Sequence, residues 1–215
     1  MSHTIRVGAP VQLVALASLS DLKSDLKITD DTQDADLNRR LLEASSAVLA
    51  YIGRPILSSD WRDILDLRQD QPRISLVLGR YPVTVLKVVS INGTLMGSDD
   101  LTNVFGAMDT SCGMLYPPDG GPALWHPARY VITYTAGYSP PTADGTGGTI
   151  PLEIQQAIRI TAAASWHGGD RDPNLKSESE QGVGSTSWVA AASGTGGLPQ
   201  DAANLLAGYR SGGIR

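Results

Sequence analysis

A chain of 215 residues with 41% apolar residues, 17 Lys and Arg, 22 Asp and Glu and a formal net charge of −5 can bury a sizeable core and does not read as a disordered chain. The acidic balance argues against a protein that grips nucleic acid through its phosphates, since that takes clustered Lys and Arg. Cys112 is the single cysteine, which excludes an internal disulfide, is too few thiols for a zinc site and fits a reducing compartment. No run of 18 apolar residues is present to cross a membrane.

In chain order, the stretch Val11–Leu19 follows Arg6 as a leader peptide would, but Pro10 and Gln12 interrupt it and a capped helix comes next, so it is not read as one. Ser18 with Asp21 three residues on reads as a capping box opening a helix over Leu19–Lys27, with Leu19, Leu22 and Leu26 on one stripe. An acidic turn (Asp30, Asp31, Asp34, Asp36) leads into a longer helix whose apolar positions Leu37, Leu41, Ala44, Val48 and Tyr51/Ile52 recur at helical spacing. Gly53 suits its left-handed cap and Pro55 stops it. Residues 18–55 are therefore expected to form a helical hairpin.

From about Asp60 to Tyr138 the pattern changes to strands. Trp61–Leu67, Ile74–Leu78, Thr84–Ile91 and Tyr130–Tyr134 are rich in apolar and β-branched residues, and Asn92-Gly93 marks a tight hairpin. Short strands are also expected around Val104 and at Met114–Tyr116. A Pro-, Gly- and Thr-rich connector spans 139–149. Pro151 then stands at a helix start, with Ile154, Ile158, Thr161/Ala162 and Ser165 on one face of a helix ending at Gly168. Residues 168–197 hold seven Gly, five Ser and two Thr, the composition of a flexible arm. A last amphipathic segment, Pro199–Arg210, carries Ala203, Leu205, Leu206 and Tyr209. The expected fold is α+β: a helical core (the N-terminal hairpin plus the C-terminal helices) with an inserted small antiparallel β-section and a flexible Gly/Ser-rich arm, all in a single domain, 1–215, with a helix at 150–168 and a helical tail at 199–215.

The search for chemistry returns little. The fragments Gly182-Val183-Gly184 and Gly194–Gly197 do not follow a strand in a βαβ unit, as a phosphate loop would. Asp170–Asn174 begins like a calcium loop, but Leu175 stands where glycine is needed and Gln181 where glutamate is. The acidic turn is explained by capping and by the helix dipole. His3, His126 and His167 are scattered, and Cys112 lies in a Gly-rich loop without a cue for a thiolate. No catalytic, cofactor-binding or metal-binding residue is expected. Two features point to association. Charged residues make up 18% of the chain, against about 25% in an average protein, as expected where neighbours cover the surface. Beyond the Gly/Ser arm, Leu205, Leu206, Tyr209 and Arg210 form a short apolar face with a basic end, and Trp188 is an isolated large aromatic within the arm.

Four phrases in order resemble the head-to-tail connector (adaptor, head-completion) proteins of tailed phages and their gene-transfer-agent relatives: Leu19–Ile28 with the acidic turn and a helix ending Tyr51-Ile52-Gly53-Arg54-Pro55; Val131–Tyr138 with its Tyr-Thr-Ala-Gly-Tyr; the Ala-rich helix Pro151–Trp166; and Leu205-Leu206-Ala207-Gly208-Tyr209-Arg210. The resemblance implies a non-enzymatic virion protein of the neck, assembled in the host cytoplasm. It implies a ring, typically a dodecamer, beneath the portal. It also implies a stopper or tail-completion protein on the lower face and double-stranded DNA passing through without sequence-specific binding, with no cofactor and no membrane. It assigns portal contact to Leu205, Leu206, Tyr209 and Arg210; Trp188, from its place in the arm, is expected to be a further anchor. The long arm and the larger β-section depart from a minimal member. Two other readings stay open: a small hydrolase whose site is assembled from separated Asp, His and Ser residues, and a stopper or tail terminator of the same particle.

Overall fold

The computed structural model describes residues 2–8, 12–118, 123–168, 177–180, 184–187 and 196–210. Two compact units divide the chain: residues 1–11 with 56–138, and residues 12–55 with 139–215.

The first unit is built on a five-stranded antiparallel sheet. Its strands are β1 (Ser2–Val7), β2 (Ser59–Asp66), β4 (Val83–Ile91), β5 (Thr94–Leu95) and β7 (Arg129–Ala136), in the spatial order β1-β2-β7-β4-β5. A two-stranded ribbon, β3 (Leu76–Val77) with β6 (Met114–Leu115), and helix α3 (Ser98–Gly106) complete it. β2 and β7 alternate buried and half-exposed residues along their length, the period-2 signature of a sheet with one face on a core. Trp61 and Leu65 from β2, Leu86 and Val89 from β4, and Tyr130, Ile132 and Tyr134 from β7 pack with Val104, Leu76, Leu115 and Trp125. Trp125 meets Tyr130 edge-on at 5.4 Å between ring centroids and donates its indole N–H to the Leu115 carbonyl at 2.9 Å. The β4–β5 turn runs through Asn92 and Gly93, both at positive φ (51° and 91°), the conformation a two-residue hairpin requires.

The second unit is helical. It contains α1 (Leu19–Leu26), α2 (Asp34–Ile52), α4 (Leu152–His167) and α5 (Gln200–Leu205), plus an antiparallel hairpin of β8 (Ser177–Glu180) and β9 (Gly184–Ser187). The Ser18 side chain caps α1 by accepting from the Asp21 N–H at 3.1 Å, and Gly53 closes α2 in the left-handed conformation. Leu37, Leu41, Ala44, Val48 and Ile52 of α2 are buried, as are Ile154, Ala157, Ile158 and Ala162 of α4. The buried Ser45 hydroxyl donates to the Leu41 carbonyl (2.6 Å) and accepts from the Leu16 N–H (3.0 Å), so neither polar group is left unpaired. Arg40 ties α2 to α4: its guanidinium bonds the Ser165 carbonyl and hydroxyl and lies 5.3 Å from the centre of the Trp166 ring.

The expected architecture, a helical core carrying a small inserted sheet, is corrected. The sheet is not a minor insertion: seventeen buried residues, all between Trp61 and Ala136, form a hydrophobic core of its own. Its outermost strand, β1, comes from the N-terminus and pairs with β2 across some sixty residues of sequence. The strand expected around Val104 is helix α3. Asp99 and Asp100 occupy its first turn, and Leu101, Val104 and Phe105 keep helical spacing, which outweighs one β-branched residue. Most of the Gly/Ser-rich span 168–197, Trp188 included, lies outside the described residues. The part that is described there includes the β8–β9 hairpin.

Candidate interaction surfaces

The four C-terminal residues singled out in the sequence divide by burial. Leu206 is 0% exposed, and Leu198, Ala202 and Ala203 of the same unit are buried too; Leu205 and Tyr209 are half-buried, and Arg210 is exposed. The Tyr209 hydroxyl donates to Glu153 Oε2 of α4 at 3.2 Å, and the Arg210 guanidinium lies 5.1 Å from the centre of the Tyr51 ring at the end of α2. The closing Leu-Leu-x-x-Tyr-Arg phrase therefore folds back on its own subunit. A six-residue helix does not persist in water alone, and this one is held by α4 and α2. Arg210 is the exposed member of the phrase's four named residues.

The acidic turn is laced with cations. Lys23 Nζ bridges Asp31 (2.6 Å) and Asp34 (2.7 Å), Asp36 meets Arg39 and Arg40, and Arg159 of α4 faces Asp25 (3.4 Å) and Asp21 (3.8 Å) of α1. Hydrogen bonds from Arg40 and then Arg39 hold the Asp36 carboxyl below the usual range. Among the described residues no group of three or more His, Cys, Asp or Glu is placed to hold a metal ion. His3, His126 and His167 are all exposed. The Cys112 thiol is pushed up, first by the neighbouring Asp109, which is the opposite of the shift that activates a nucleophilic cysteine.

One buried polar network lies inside the sheet unit. Asp63, 1% exposed, accepts at Oδ2 from the Gly79 N–H (2.6 Å) and the Tyr134 hydroxyl (3.0 Å), while that hydroxyl accepts from the Arg80 N–H (3.1 Å). Burial, and after it the Asp63 charge, push the Tyr134 phenol far above its ordinary value. A Cβ on Gly79 would sit 2.0 Å from Thr4 Oγ1 of β1, so glycine there lets the backbone reach the carboxylate. The network is enclosed and joins β2, β7 and the 79–80 turn beneath β1. Through it β2, β7 and the 79–80 turn are tied together by buried hydrogen bonds. The alternation Trp61-Asp63-Leu65 on one face of β2 was the signal for this buried carboxylate.

The opposite face of the sheet is half-exposed along β2 and β7 and exposed toward its edges. Two bulges in β4, at Thr84 and Lys87, shift its register against β7 and turn both Val85 and Val88 outward. The pairings Val7–Asp60–Thr135–Val85 and Ile5–Arg62–Thr133–Val88 then run as two rows across the sheet. Ile5 is 43% exposed, Val85 48% and Val88 39%. Between these aliphatic ends lies a polar centre, where Lys87 Nζ is held by both oxygens of Asp60 at 2.7 Å and Thr135 Oγ1 donates to the same carboxylate. Lys87 and then Thr135 keep the Asp60 carboxyl below the usual range. Sequence periodicity did not find this surface, because Val85 and Val88 are three residues apart and only the bulges bring them to one side.

No family model matches the chain, and no curated protein matches it. Among solved structures, the chain is similar to one in the neck of the empty GTA particle computed with C6 symmetry (16% identity, covering 99% of this chain and 97% of that one, TM-score 0.46). It is similar likewise to one in the neck of the native GTA particle computed with C12 symmetry (17% identity, 99% and 97%, TM-score 0.46). A third likeness is to a chain in the virion of the native gene transfer agent particle (13% identity, 99% and 97%, TM-score 0.42).

Proposed function

We propose that this chain is a structural head-to-tail adaptor of a tailed phage or phage-like particle, a ring subunit beneath the portal through which double-stranded DNA passes and to which a stopper or tail protein attaches. The observation that carries the reading is where the connector-like phrases fall. The hairpin ending at Tyr51, the helix starting at Pro151 and the closing Leu-Leu-x-x-Tyr-Arg are far apart in sequence. In the fold they meet through Arg210 on Tyr51, Tyr209 on Glu153 and Arg40 on Ser165. Three of the four phrases thus contact one another, as parts of a shared packing unit would, while the fourth, Val131–Tyr138, supplies most of the central strand β7 of the sheet unit. The net charge of −5 suits a channel that lets a polyanion slide, because phosphate contacts would hold it with salt-dependent affinity at each step. Portal contact is assigned to the exposed side of the C-terminal segment, Leu205, Tyr209 and Arg210, with Leu206 holding that segment in place from within and Trp188 as a further anchor.

The test mixes the purified chain with DNA-filled heads of its own particle that carry a portal but lack a neck. The chain is expected to co-sediment with these heads and to reduce DNA leakage, and to ignore heads without a portal. Failure to join portal-bearing heads overturns the reading.

A further inference from the structure

The five-stranded sheet has two unlike edges, and among the described residues neither is fully covered by its own unit. β1 is outermost on one side, with six residues, no bulge and no proline. On the other side, β5 pairs only with Ser90 and Ile91 of β4. Backbone bonds from Met96 to the Val89 carbonyl and from the Val83 N–H to the Thr110 carbonyl cover the two ends of the remaining stretch. Between them Thr84, Val85, Lys87 and Val88 are exposed. Bare strand edges are templates for a further strand, and proteins usually guard them with charge. Here the lysine on the β4 edge is drawn back over the sheet face by Asp60.

We propose, resting on the ring reading above, that β1 of one subunit docks along residues 84–88 of β4 in the next copy of this chain, so that the ring closes sheet edge to sheet edge. Three features of the fold select a second copy as the occupant. Neighbouring strands in the order β1-β2-β7-β4 are antiparallel throughout, so a copy placed beside β4 in the same orientation brings its β1 up antiparallel as well. The aliphatic residues of the two edges, half-buried Val7 and exposed Ile5, Val85 and Val88, lie in the same two rows, Val7 with Val85 and Ile5 with Val88. Continuing the sheet therefore makes them cross-strand neighbours and covers both strips at once. The two edges also differ from each other, and a closed ring of identical subunits needs such a heterologous contact. The strip is small: an edge about 17 Å long and one strand spacing, about 5 Å, wide presents on the order of 100 Å², well short of the roughly 800 Å² per partner of a standard interface. The contact is thus weak for a pair of free subunits and accumulates when a template lines up many copies.

Cysteine pairs test this. Within one subunit β1 and β4 are three strand spacings apart, about 14 Å, beyond the roughly 7 Å that a disulfide spans. Any link between them therefore joins two copies. In a Cys112→Ser background, Ile5→Cys and Val88→Cys are made singly and together, assembled on portal-bearing heads and oxidised. Equal mixtures of the single variants should give a covalent dimer and the double variant a ladder, while each single variant alone gives none. Val7→Cys with Val85→Cys provides a second rung should one substitution disturb the strand. Subunits that assemble on heads without any such dimer refute the edge contact and leave the ring reading intact. Self-linking of Ile5→Cys alone, or links only to another protein, refutes it too, by naming a different occupant. A chain that never assembles on heads overturns the ring reading itself.

Discussion

Leu206→Ala distinguishes a residue packed in its own subunit from one displayed to a partner. Leu206 is fully buried at the end of α5. Removing a buried leucine to alanine costs about 2–5 kcal/mol, according to how far the site collapses. Leu206 is fully buried, so a loss in the middle of that range, about 3 kcal/mol, is expected. A helix of six residues has no independent stability, and the loss should first be felt as local opening of α5. The amides of Ala203 and Leu206, which bond the Pro199 and Ala202 carbonyls, should exchange roughly 100-fold faster, while those of β2 and β7 should not change. Urea denaturation followed by circular dichroism together with native-state hydrogen exchange provides the assay. Leu205→Ala, at a half-buried position, serves as the control with a smaller cost. If Leu206→Ala leaves stability and exchange within about 0.5 kcal/mol of the parent yet abolishes attachment to heads, Leu206 is a partner contact and the packing argument fails.

Tyr134→Phe removes the hydroxyl that serves both Asp63 and the Arg80 N–H. Leaving buried polar groups unpaired should cost about 1–3 kcal/mol, and an unchanged urea midpoint would contradict the network. Hydrogen bonds from Arg68 hold the Asp66 carboxyl down at about 2. Its folded value lies below the unfolded one of about 3.9, so this pair's contribution is present above that value and is lost as pH falls through 2. Carboxyl chemical shifts of Asp66 should titrate near 2 in the parent and return toward 3.9 in Arg68→Ala, and an unshifted midpoint in the parent would refute the pairing.

Local signals were the legible ones. The Ser18 cap, the Gly53 stop, the Asn92-Gly93 turn and the buried stripe of α2 each depend on residues a few positions apart, and each sits where the sequence places it. Strand β1 was not legible, because His3–Val7 becomes a strand only through pairing with β2. The C-terminal face was visible as apolar, but periodicity shows that a face is covered and not what covers it. Leu206, assigned to a partner by resemblance, is fully buried in the subunit itself. The outer surface of the sheet stayed hidden for a related reason: two bulges reset the period of β4, and no count of alternating residues finds Val85 and Val88 on one side.

The account stands on this chain being a ring-forming part of a particle neck. Electron microscopy of isolated portals incubated with the purified chain measures that directly. The account predicts a closed ring of this subunit stacked coaxially under the portal, with an open axial channel. Portals that remain bare, or that carry the subunit only as scattered single copies, would contradict it.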